Sequence, residues 1–263
     1  MRIVTWNVNS IRARLDLVAG WLDLHQPEVV LLQETRCMQH EFPMFDLVGR
    51  GYDVVHHGNH HRNGVAILSR VGLDDVQCGF RTDFRCSDGD VGEARLVSAT
   101  CAGIRVHSVY VPNGRQLDHP QYRFKLAWLD HLRRELADDL AAGLPTVVAG
   151  DFNVAPAPID IYDPRRFVGQ THASEPERAA LRAIVDLGLR DITRELHPEP
   201  GFFTWWNYQP QQYEQNKGLR IDLFLTSGDI ADRIVDVVVA HDARRVSKPS
   251  DHAPVVLELR SDT

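Results

Sequence analysis

Short apolar runs typical of β-strands recur along the whole sequence, and a few longer amphipathic stretches separate them. The run at residues 29–33 has the apolar character of a buried strand. We predict strands at residues 3–8, 29–33, 52–57, 65–69, 95–100, 105–110, 146–150, 203–206, 220–226, 235–240 and 255–260. Many strands with few intervening helices favour an α/β fold of two packed mixed β-sheets with helices on the outside.

Three stretches are predicted to be helical. In the first, Ile11, Leu15, Val18 and Leu22 recur at steps of three and four, and the helix should end before Pro27. A long helix should cover residues 119–140, with these side chains facing inward: Tyr122, Leu126, Leu129, Leu132 and Leu136. A third helix should begin at a capping box formed by Ser174 and Glu177 and stop at Gly188.

Composition narrows the class of protein. The 263 residues are 43% hydrophobic and lack a linker or repeat, so we predict one domain over residues 1–263. No signal peptide or transmembrane run is recognisable, and the four scattered cysteines are typical of reduced thiols in a cytoplasmic protein. The net charge of −7 slightly disfavours a nucleic-acid partner unless a local basic face exists.

Six polar clusters stand where predicted strands end, which is where rigid scaffolds place catalytic groups. Together they supply carboxylates, carboxamides, a histidine and a tyrosine without sulfur, a donor set that suits Mg²⁺ or Mn²⁺. Taken singly, each cluster is more simply a turn that satisfies local backbone groups. The clusters are Trp6-Asn7-Val8-Asn9, Gln33-Glu34-Thr35, Tyr110-Val111-Pro112-Asn113, Gly150-Asp151-Phe152-Asn153, Arg220-Ile221-Asp222 and Ser250-Asp251-His252.

The chain resembles the exonuclease III family of abasic-site endonucleases, within the endonuclease/exonuclease/phosphatase superfamily. The resemblance spans residues 1–259 and is carried by the segments WNVNSIRARL, LQET, YVPNG, GDFNVAP, GLRIDLFL and KPSDHAPV. It implies a DNase I-like four-layer α/β sandwich. It also implies a Mg²⁺-dependent DNA-repair phosphodiesterase in which Mn²⁺ can substitute. Such an enzyme incises double-stranded DNA 5′ to abasic sites, trims blocked 3′ ends and digests 3′→5′. The oligomeric state is left open by the sequence, with a monomer as the default expectation.

The resemblance also implies roles for individual residues. Glu34 would be the main metal ligand, and Asp151 would activate the attacking water while Asp222 orients His252. The full metal set that it implies is Asn7, Glu34, Asp151, Asn153, Asp251 and His252, and the catalytic set is Tyr110, Asp151, Asn153, Asp222 and His252. Asn113 would lie beside Tyr110 and contact the substrate.

A small apolar pocket for a base-free sugar is implied near the C-terminus. Its implied residues are Trp205, Trp206, Leu219, Arg220 and Ile221. Because neighbouring strand residues point to opposite faces, we expect Trp206 to line the pocket and Trp205 to border it. Packing in the protein core is the alternative for both rings.

Basic side chains near the same loops are candidates for phosphate contacts, although each is more simply a solvated surface group. They are Arg12, Arg14, Arg36, Arg62, Arg115, Arg165, Arg166, Arg220 and Lys248. Arg36 stands where the family has Lys, and Leu219 stands where some relatives have Trp. The DNA contacts of the polar loop 83–93 do not carry over from the family.

Three further readings of the sequence remain open. The histidines of residues 56–61 invite a zinc hypothesis, but they lack a helical frame and nearby cysteines. A hydrolase of the same superfamily could act on phosphoinositides, sphingomyelin or poly(A). A catalytically silent DNA-binding protein on the same fold is the third reading, and it should lack at least one of five residues: Glu34, Asp151, Asn153, Asp222 or His252.

Overall fold

A computed structural model describes residues 1–82, 84 and 92–260 of the chain. Its strands are β1 (Arg2–Asn7), β2 (Val29–Gln33), β3 (Asp53–His57), β4 (Val65–Ser69), β5 (Asp74–Cys78), β6 (Leu96–Cys101), β7 (Ile104–Tyr110), β8 (Thr146–Asp151), β9 (Arg190–Asp191), β10 (Asp222–Thr226), β11 (Ile234–Val239) and β12 (Val255–Leu259). Its α-helices are α1 (Leu15–His25), α2 (Met44–Val48), α3 (Pro120–Ala141), α4 (Glu175–Val185), α5 (Ile192–Leu196) and α6 (Gly228–Ala231). The predicted polar loop 83–93 lies largely outside the described residues.

The strands form two six-stranded mixed sheets, which confirms the predicted architecture. The first sheet has the order β11-β12-β1-β2-β4-β3, and the second has the order β5-β6-β7-β8-β10-β9. Near the centre of each sheet lies one parallel pair, β1 with β2 and β7 with β8. The carboxyl ends of the two strands in each parallel pair therefore lie at the same edge of their sheet.

The apolar strands are buried on both faces, between the two sheets on one side and under helices on the other. In β2, Val29 and Leu31 pack between the two sheets, whereas Val30 and Leu32 pack on the outer face against helix α1. In β8, Val147 and Ala149 pack between the sheets, whereas Val148 packs against α3 and α4. Strands with apolar residues at successive positions are thus buried on both faces, and the molecule has four layers.

Local signals fix the helix ends. Helix α1 stops at Gln26, which has a left-handed backbone with φ 46°. Helix α3 begins after His119, whose side chain accepts a hydrogen bond from the Gln121 backbone N–H. The predicted capping box of α4 is present, with Ser174 and Glu177 bonded to each other's backbone N–H groups.

Two expectations about packing and strands are wrong. Leu126 is only partly buried in α3, and the neighbouring Lys125 is fully buried instead. Residues 203–206 do not form a strand, because the Thr204 and Trp205 N–H groups both bond to the Leu219 carbonyl and turn the chain. Isolated bridges from Trp205 to Leu219 and to His252 replace the expected ladder.

Within the described ranges, no helix is both long and apolar enough to cross a lipid bilayer.

Candidate active site

Strand direction brings the polar clusters to one edge of the two sheets. Tyr110 and Asp151 are register partners at the ends of the parallel strands β7 and β8. Asp222, at the start of the antiparallel strand β10, pairs with Asp151 from the other side. The segment that precedes β12 reaches the same edge, where the Ser250 hydroxyl donates to the Asn7 carbonyl at 2.6 Å.

Asn7 connects the two sheets through its side-chain amide. Its Nδ2 donates to Glu34 Oε2 and to Asp151 Oδ2, both at 2.9 Å. Glu34 follows β2 of the first sheet and has a left-handed backbone with φ 58°, whereas Asp151 ends β8 of the second sheet. Arg36 Nε donates to the other Glu34 oxygen at 2.7 Å. Two carboxylates from different sheets are therefore held on one buried amide.

Asp151 is 2% exposed, and burial raises the pKa of its carboxyl group to about 7, with a further upward contribution from Asp222. The Asn153 backbone N–H donates to Asp151 Oδ1 at 2.9 Å. Asn153 Nδ2 lies 3.2 Å from Asp151 Oδ2 and 2.9 Å from the Val111 carbonyl. The carboxyl group is thus fixed in direction, and its ionised form lacks solvation by water.

His252 is held by Asp222, as the sequence predicts. Its Nδ1 lies 2.8 Å from Asp222 Oδ2, and its Nε2 lies 3.8 Å from Asp151 Oδ2. Burial alone would lower the pKa of His252, but the carboxylates of Asp222 and Asp151 outweigh it and raise the pKa to about 10. Thr204 Oγ1 donates to the same Asp222 oxygen at 2.6 Å. At neutral pH the imidazole is a cation pointing at the carboxylate of Asp151.

Tyr110 keeps its proton. Burial, reinforced by the charge of Glu34, raises the pKa of its phenol far above the usual range. The Arg95 guanidinium lies 4.6 Å from the centre of its ring. The Tyr110 hydroxyl is therefore a neutral hydrogen-bond donor near the two carboxylates.

Asp251 is bonded through both of its oxygens. Asn9 Nδ2 donates to Oδ1 at 2.9 Å and the Trp205 indole donates to Oδ2 at 3.0 Å. Burial would raise the pKa of this carboxyl group, but the positive charge of His252 and these two hydrogen bonds hold it below the usual range. Asp251 is thus ionised, and its orientation depends on Trp205.

The donor set fits a hard divalent cation with few protein ligands. Among the described residues, no group of three or more His, Cys, Asp or Glu side chains is arranged to hold a metal. Mg²⁺ keeps several waters and binds through one or two carboxylates. Glu34 and Asp151, two carboxylates joined by one amide, match this preference.

Two members of the predicted metal set are better explained by other roles. His252 is held through Nδ1 by Asp222 and directs Nε2 towards Asp151, 3.8 Å away, which fits a role in orienting or protonating groups at the site. The Asn153 amide oxygen is already occupied, since it lies 3.2 Å from Asn113 Nδ2 and 3.0 Å from His172 Nε2. The oxygen-donor candidates that remain are Asn7, Glu34, Asp151 and Asp251.

The expectation that Trp206 lines a pocket is wrong, and the alternative of core packing applies to it. Trp206 is completely buried against Phe203 and Ala253, so its ring belongs to the core. Trp205 is partly exposed and carries the hydrogen bond to Asp251. Because residues 203–206 turn instead of forming a strand, simple alternation does not apply to them.

The other predicted pocket residues divide into two groups. Leu219 and Ile221 form a small apolar cluster with Ala155 and Ile161, and Trp205 packs against it. Arg220 has no exposed surface, because its guanidinium bonds to both oxygens of Asp191 at 2.8 Å and to Asp160 at 2.6 Å. The expectation that Arg220 contacts a substrate or a phosphate is therefore wrong, since both carboxylates already occupy it.

The remaining basic candidates are at the surface, and several have acidic partners. Arg12 pairs with Glu41, and both Arg165 and Arg166 pair with Asp163. Arg14 Nη2 donates to the Tyr208 hydroxyl at 3.0 Å. Three side chains of the set are exposed without such an ion pair in the structure: Arg62, Arg115 and Lys248.

The histidines of residues 56–61 have separate partners. His56 is buried, stacks on Phe42 with ring centres 4.1 Å apart and bonds to Thr35. His57 bonds to the Leu96 carbonyl. His60 and His61 are exposed, and His61 pairs with Glu41. These partners give His56 and His57 structural roles and leave no shared position for zinc.

His172 was not predicted from the sequence. It has a left-handed backbone with φ 74°, and its Nε2 reaches the side chains of Asn113 and Asn153 at 3.1 and 3.0 Å. Burial, reinforced by the charge of Lys125, lowers the pKa of this imidazole to about 3, so it is neutral. A single histidine in an irregular turn follows no strand end or motif, so the sequence carried no signal for it.

Comparisons with known proteins show which sequences and folds the chain resembles. The sequence profile described as "Endonuclease/Exonuclease/phosphatase family" matches residues 4–252. Exodeoxyribonuclease III of Haemophilus influenzae is 31% identical over 272 residues, covering 99% of this chain and 100% of that protein. Two similar solved structures are the 3′ phosphatase NExo from Neisseria bound to a product DNA hairpin (TM-score 0.94, 38% identity) and an AP endonuclease from Archaeoglobus fulgidus (TM-score 0.93, 37% identity). In both, 99% of this chain aligns with 100% of the other.

Proposed function

This chain belongs to the endonuclease/exonuclease/phosphatase family, and on that premise we propose that it is a Mg²⁺-dependent DNA-repair nuclease. It hydrolyses the backbone of double-stranded DNA 5′ to abasic sites, trims blocked 3′ ends and digests 3′→5′. The observation that carries the proposal is the buried pair Glu34–Asp151, bridged by Asn7 and faced by a protonated His252.

The roles of the side chains follow from their protonation states. Asp151, with its raised pKa, is suited to accept the proton of the attacking water while Asn153 fixes the direction of the carboxylate. Protonated His252 faces the place where charge develops on the phosphate, and the neutral Tyr110 hydroxyl donates a hydrogen bond there.

Glu34 would hold a divalent cation, with Asn7 and Asp251 nearby, and such a cation would supply positive charge to stabilise the phosphate oxygens in the transition state. The amide oxygen of Asn7 accepts one hydrogen bond, from the Asn9 backbone N–H at 3.0 Å, and keeps a second lone pair for a cation. Mg²⁺ suits these hard oxygen donors, and Mn²⁺ shares the preference.

Both abasic-site incision and 3′-end trimming are included because similar proteins are described by each. One similar structure is called an AP endonuclease, and others are called a 3′ phosphatase and a 3′–5′ exonuclease. The apolar cluster of Leu219 and Ile221 beside Trp205 supports the recognition of a base-free sugar. The exposed Arg62, Arg115 and Lys248 support contacts with DNA phosphates despite the net charge of −7.

The alternative readings have less support. A silent DNA-binding protein should lack one of five residues, yet all five are present and hydrogen-bonded in the structure: Glu34, Asp151, Asn153, Asp222 and His252. Hydrolysis of phosphoinositides, sphingomyelin or poly(A) lacks a relative described by such an activity among those compared above. We also propose that the chain is a single-domain monomer that acts in the cytoplasm, and the unpaired thiols of Cys37, Cys78 and Cys101 support a reducing compartment.

A gel assay tests the proposal with four matched duplexes: one with a single abasic site, one with a 3′ phosphate at a nick, one with a recessed intact 3′ end and one intact throughout. We expect Mg²⁺-dependent nicking 5′ to the lesion and trimming of the two ends, all abolished by a chelator. Binding without cleavage of any duplex would contradict the proposal. Activity on a phosphoinositide or another non-DNA phosphoester alone would favour the second reading.

A further inference from the structure

Lys125 is a fully buried lysine that the proposed chemistry does not use. It lies in the first part of helix α3, and its ammonium pairs with the carboxylate of Glu177, which is also fully buried. The same ammonium donates to the Asn153 carbonyl at 2.7 Å and to the Asn113 carbonyl at 3.2 Å. One charged group therefore binds the backbone of two separate loops of the candidate active site.

The two carbonyls belong to residues whose side chains meet in the site. Asn113 lies in the loop that follows β7, and Asn153 lies two residues after the end of β8. Asn153 has a left-handed backbone with φ 50°. In this conformation its carbonyl reaches Lys125 while its own N–H and Nδ2 reach Asp151. A movement of the carbonyl would therefore also move the groups that fix Asp151.

Glu177 extends the same network to a third segment. Its Oε1 accepts from the His172 backbone N–H at 2.9 Å and from the Thr171 hydroxyl at 2.8 Å. The Thr171 hydroxyl lies 2.8 Å from the Asn113 carbonyl as well. The position of His172 beside Asn113 and Asn153 thus depends on the carboxylate that anchors Lys125.

The packing around the lysine stem is close. Gly114 has φ 89°, and a Cβ atom there would lie 3.1 Å from Lys125 Cδ and 3.0 Å from Thr171 Oγ1. The loop after β7 therefore rests directly on the lysine side chain. A buried ion pair is weak evidence for stability, because desolvation offsets much of its attraction. The position of the Lys125–Glu177 pair between three loops says more about its role than its contribution to stability does.

We propose that Lys125, anchored by Glu177, is a positioning residue that sets the placement of Asn113, Asn153 and His172 for catalysis. It acts through their backbone and does not touch the substrate. This inference rests on the proposed function, because it concerns the rate of the same reaction. Small displacements of positioning groups lower rates strongly, by up to about 100-fold for a shift of about 1 Å.

The test is the double variant Lys125→Met/Glu177→Gln, which removes both buried charges and keeps one oxygen acceptor, which can replace Oε1 as the partner of the His172 backbone N–H. We expect kcat per folded molecule to fall about 10- to 100-fold, with KM changed less than about threefold because the phosphate-binding surface is intact. Hydrogen exchange by mass spectrometry should show faster exchange in residues 111–116 and 151–156. The folded fraction is measured by thermal melting and by active-site titration.

The matched control is Asp139→Asn, which disturbs a buried carboxylate on the same helix, bonded to Arg81 and His107 and distant from the site. It should lower the melting temperature while leaving kcat per folded molecule unchanged. Equal kcat in wild type and double variant would overturn the proposal. So would a loss of kcat that Asp139→Asn reproduces at the same loss of stability.

A second variant keeps the proposal testable if the double variant does not fold. Thr171→Val removes one hydroxyl from the same network without a change in shape or charge, and kcat should fall about three- to tenfold. Unchanged kcat in a folded Thr171→Val protein would overturn the proposal. Failure of the wild-type protein to cleave any duplex would overturn the proposed function instead, and the exchange measurement would still show whether Lys125 orders the loops.

Discussion

Asp151 shows how single residues in this site are specialised by their surroundings. It is the same residue type as Asp251, yet burial raises the pKa of Asp151 to about 7, whereas the charge of His252 and two hydrogen bonds hold the pKa of Asp251 below the usual range. Only the first is suited to accept a proton near neutral pH. Sequence alone cannot separate the two, because the difference comes from neighbours that are distant along the chain.

Asp151→Asn should reduce turnover by at least about 1,000-fold, because the amide cannot accept the proton of water. Affinity for DNA should change little, since the groups that contact phosphate are retained. Single-turnover cleavage and a binding titration in chelator measure the two quantities. Asp232→Asn, at an exposed carboxylate, controls for the lost charge. Cleavage by Asp151→Asn within a few-fold of wild type would refute the assignment of the base.

The two tryptophans should respond differently to substitution. Trp206→Ala removes a fully buried ring and should cost about 3–5 kcal/mol of folding free energy. Trp205→Phe removes the hydrogen bond to Asp251 and should lower activity about 10-fold or raise the Mg²⁺ requirement by a similar factor, with little change in melting temperature. Chemical denaturation and a Mg²⁺ titration of cleavage distinguish the two. A stable, active Trp206→Ala protein would contradict this division.

The sequence identified most of the residues that meet in the site, but it did not predict the direction and partners of every side chain. Glu34 follows β2, Asp151 ends β8 and His252 precedes β12, so their places at the ends of apolar runs located them. Arg220 also follows this pattern, but two buried carboxylates bind it. His172 and Lys125 lie in a turn and on a helix face, where a polar residue is ordinarily a surface group.

Among the secondary-structure elements, β2 and β4 were predicted with their observed bounds because every residue in them is buried. Burial on both faces leaves a continuous apolar run that polar residues end sharply. The edge strand β5 and the short helices α2, α5 and α6 were missed, since they are short or mostly polar and rely on tertiary contacts. Residues 203–206 have side chains that favour strands. Two of their backbone N–H groups bond to the same Leu219 carbonyl, however, so they do not form a regular β-ladder.

Strand β8 approaches β7 closely at Gly150, just before Asp151. A Cβ atom at Gly150 would lie 1.9 Å from the Val109 carbonyl oxygen. Gly150→Ala should therefore destabilise the protein by at least about 3 kcal/mol and displace Asp151. Urea unfolding measures the change. Gly20→Ala in α1, where no atom lies within 4 Å of the new Cβ, should be neutral or stabilising. Equal stability of the two variants would contradict the close approach.

For the molecule as a whole, buried histidines make stability depend on pH. Burial lowers the pKa of His56 to about 4 and also lowers the pKa of His57. The unfolded chain therefore binds protons more readily than the folded protein between about pH 6.5 and pH 4. By linkage, the contribution of His56 and His57 to folding stability is fully present above this range and is lost as the pH falls through it.

Between pH 7 and pH 5.5, His56 alone should account for about 1 kcal/mol of lost stability. Urea unfolding of wild type and His56→Gln at both pH values measures this contribution, which the variant should lack. His60→Gln removes an exposed histidine of the same segment and should keep the wild-type pH dependence. The same slope in all three proteins would show that His56 is not buried in its neutral form.

The Asn7 amide binds one carboxylate from each sheet, so activity requires that the two sheets have packed together correctly. Neither sheet alone carries all the side chains of the candidate site. A folding intermediate with formed strands and helices would therefore be inactive until the two sheets pack in their native arrangement. During refolding, the recovery of turnover should consequently lag behind the recovery of far-ultraviolet circular dichroism.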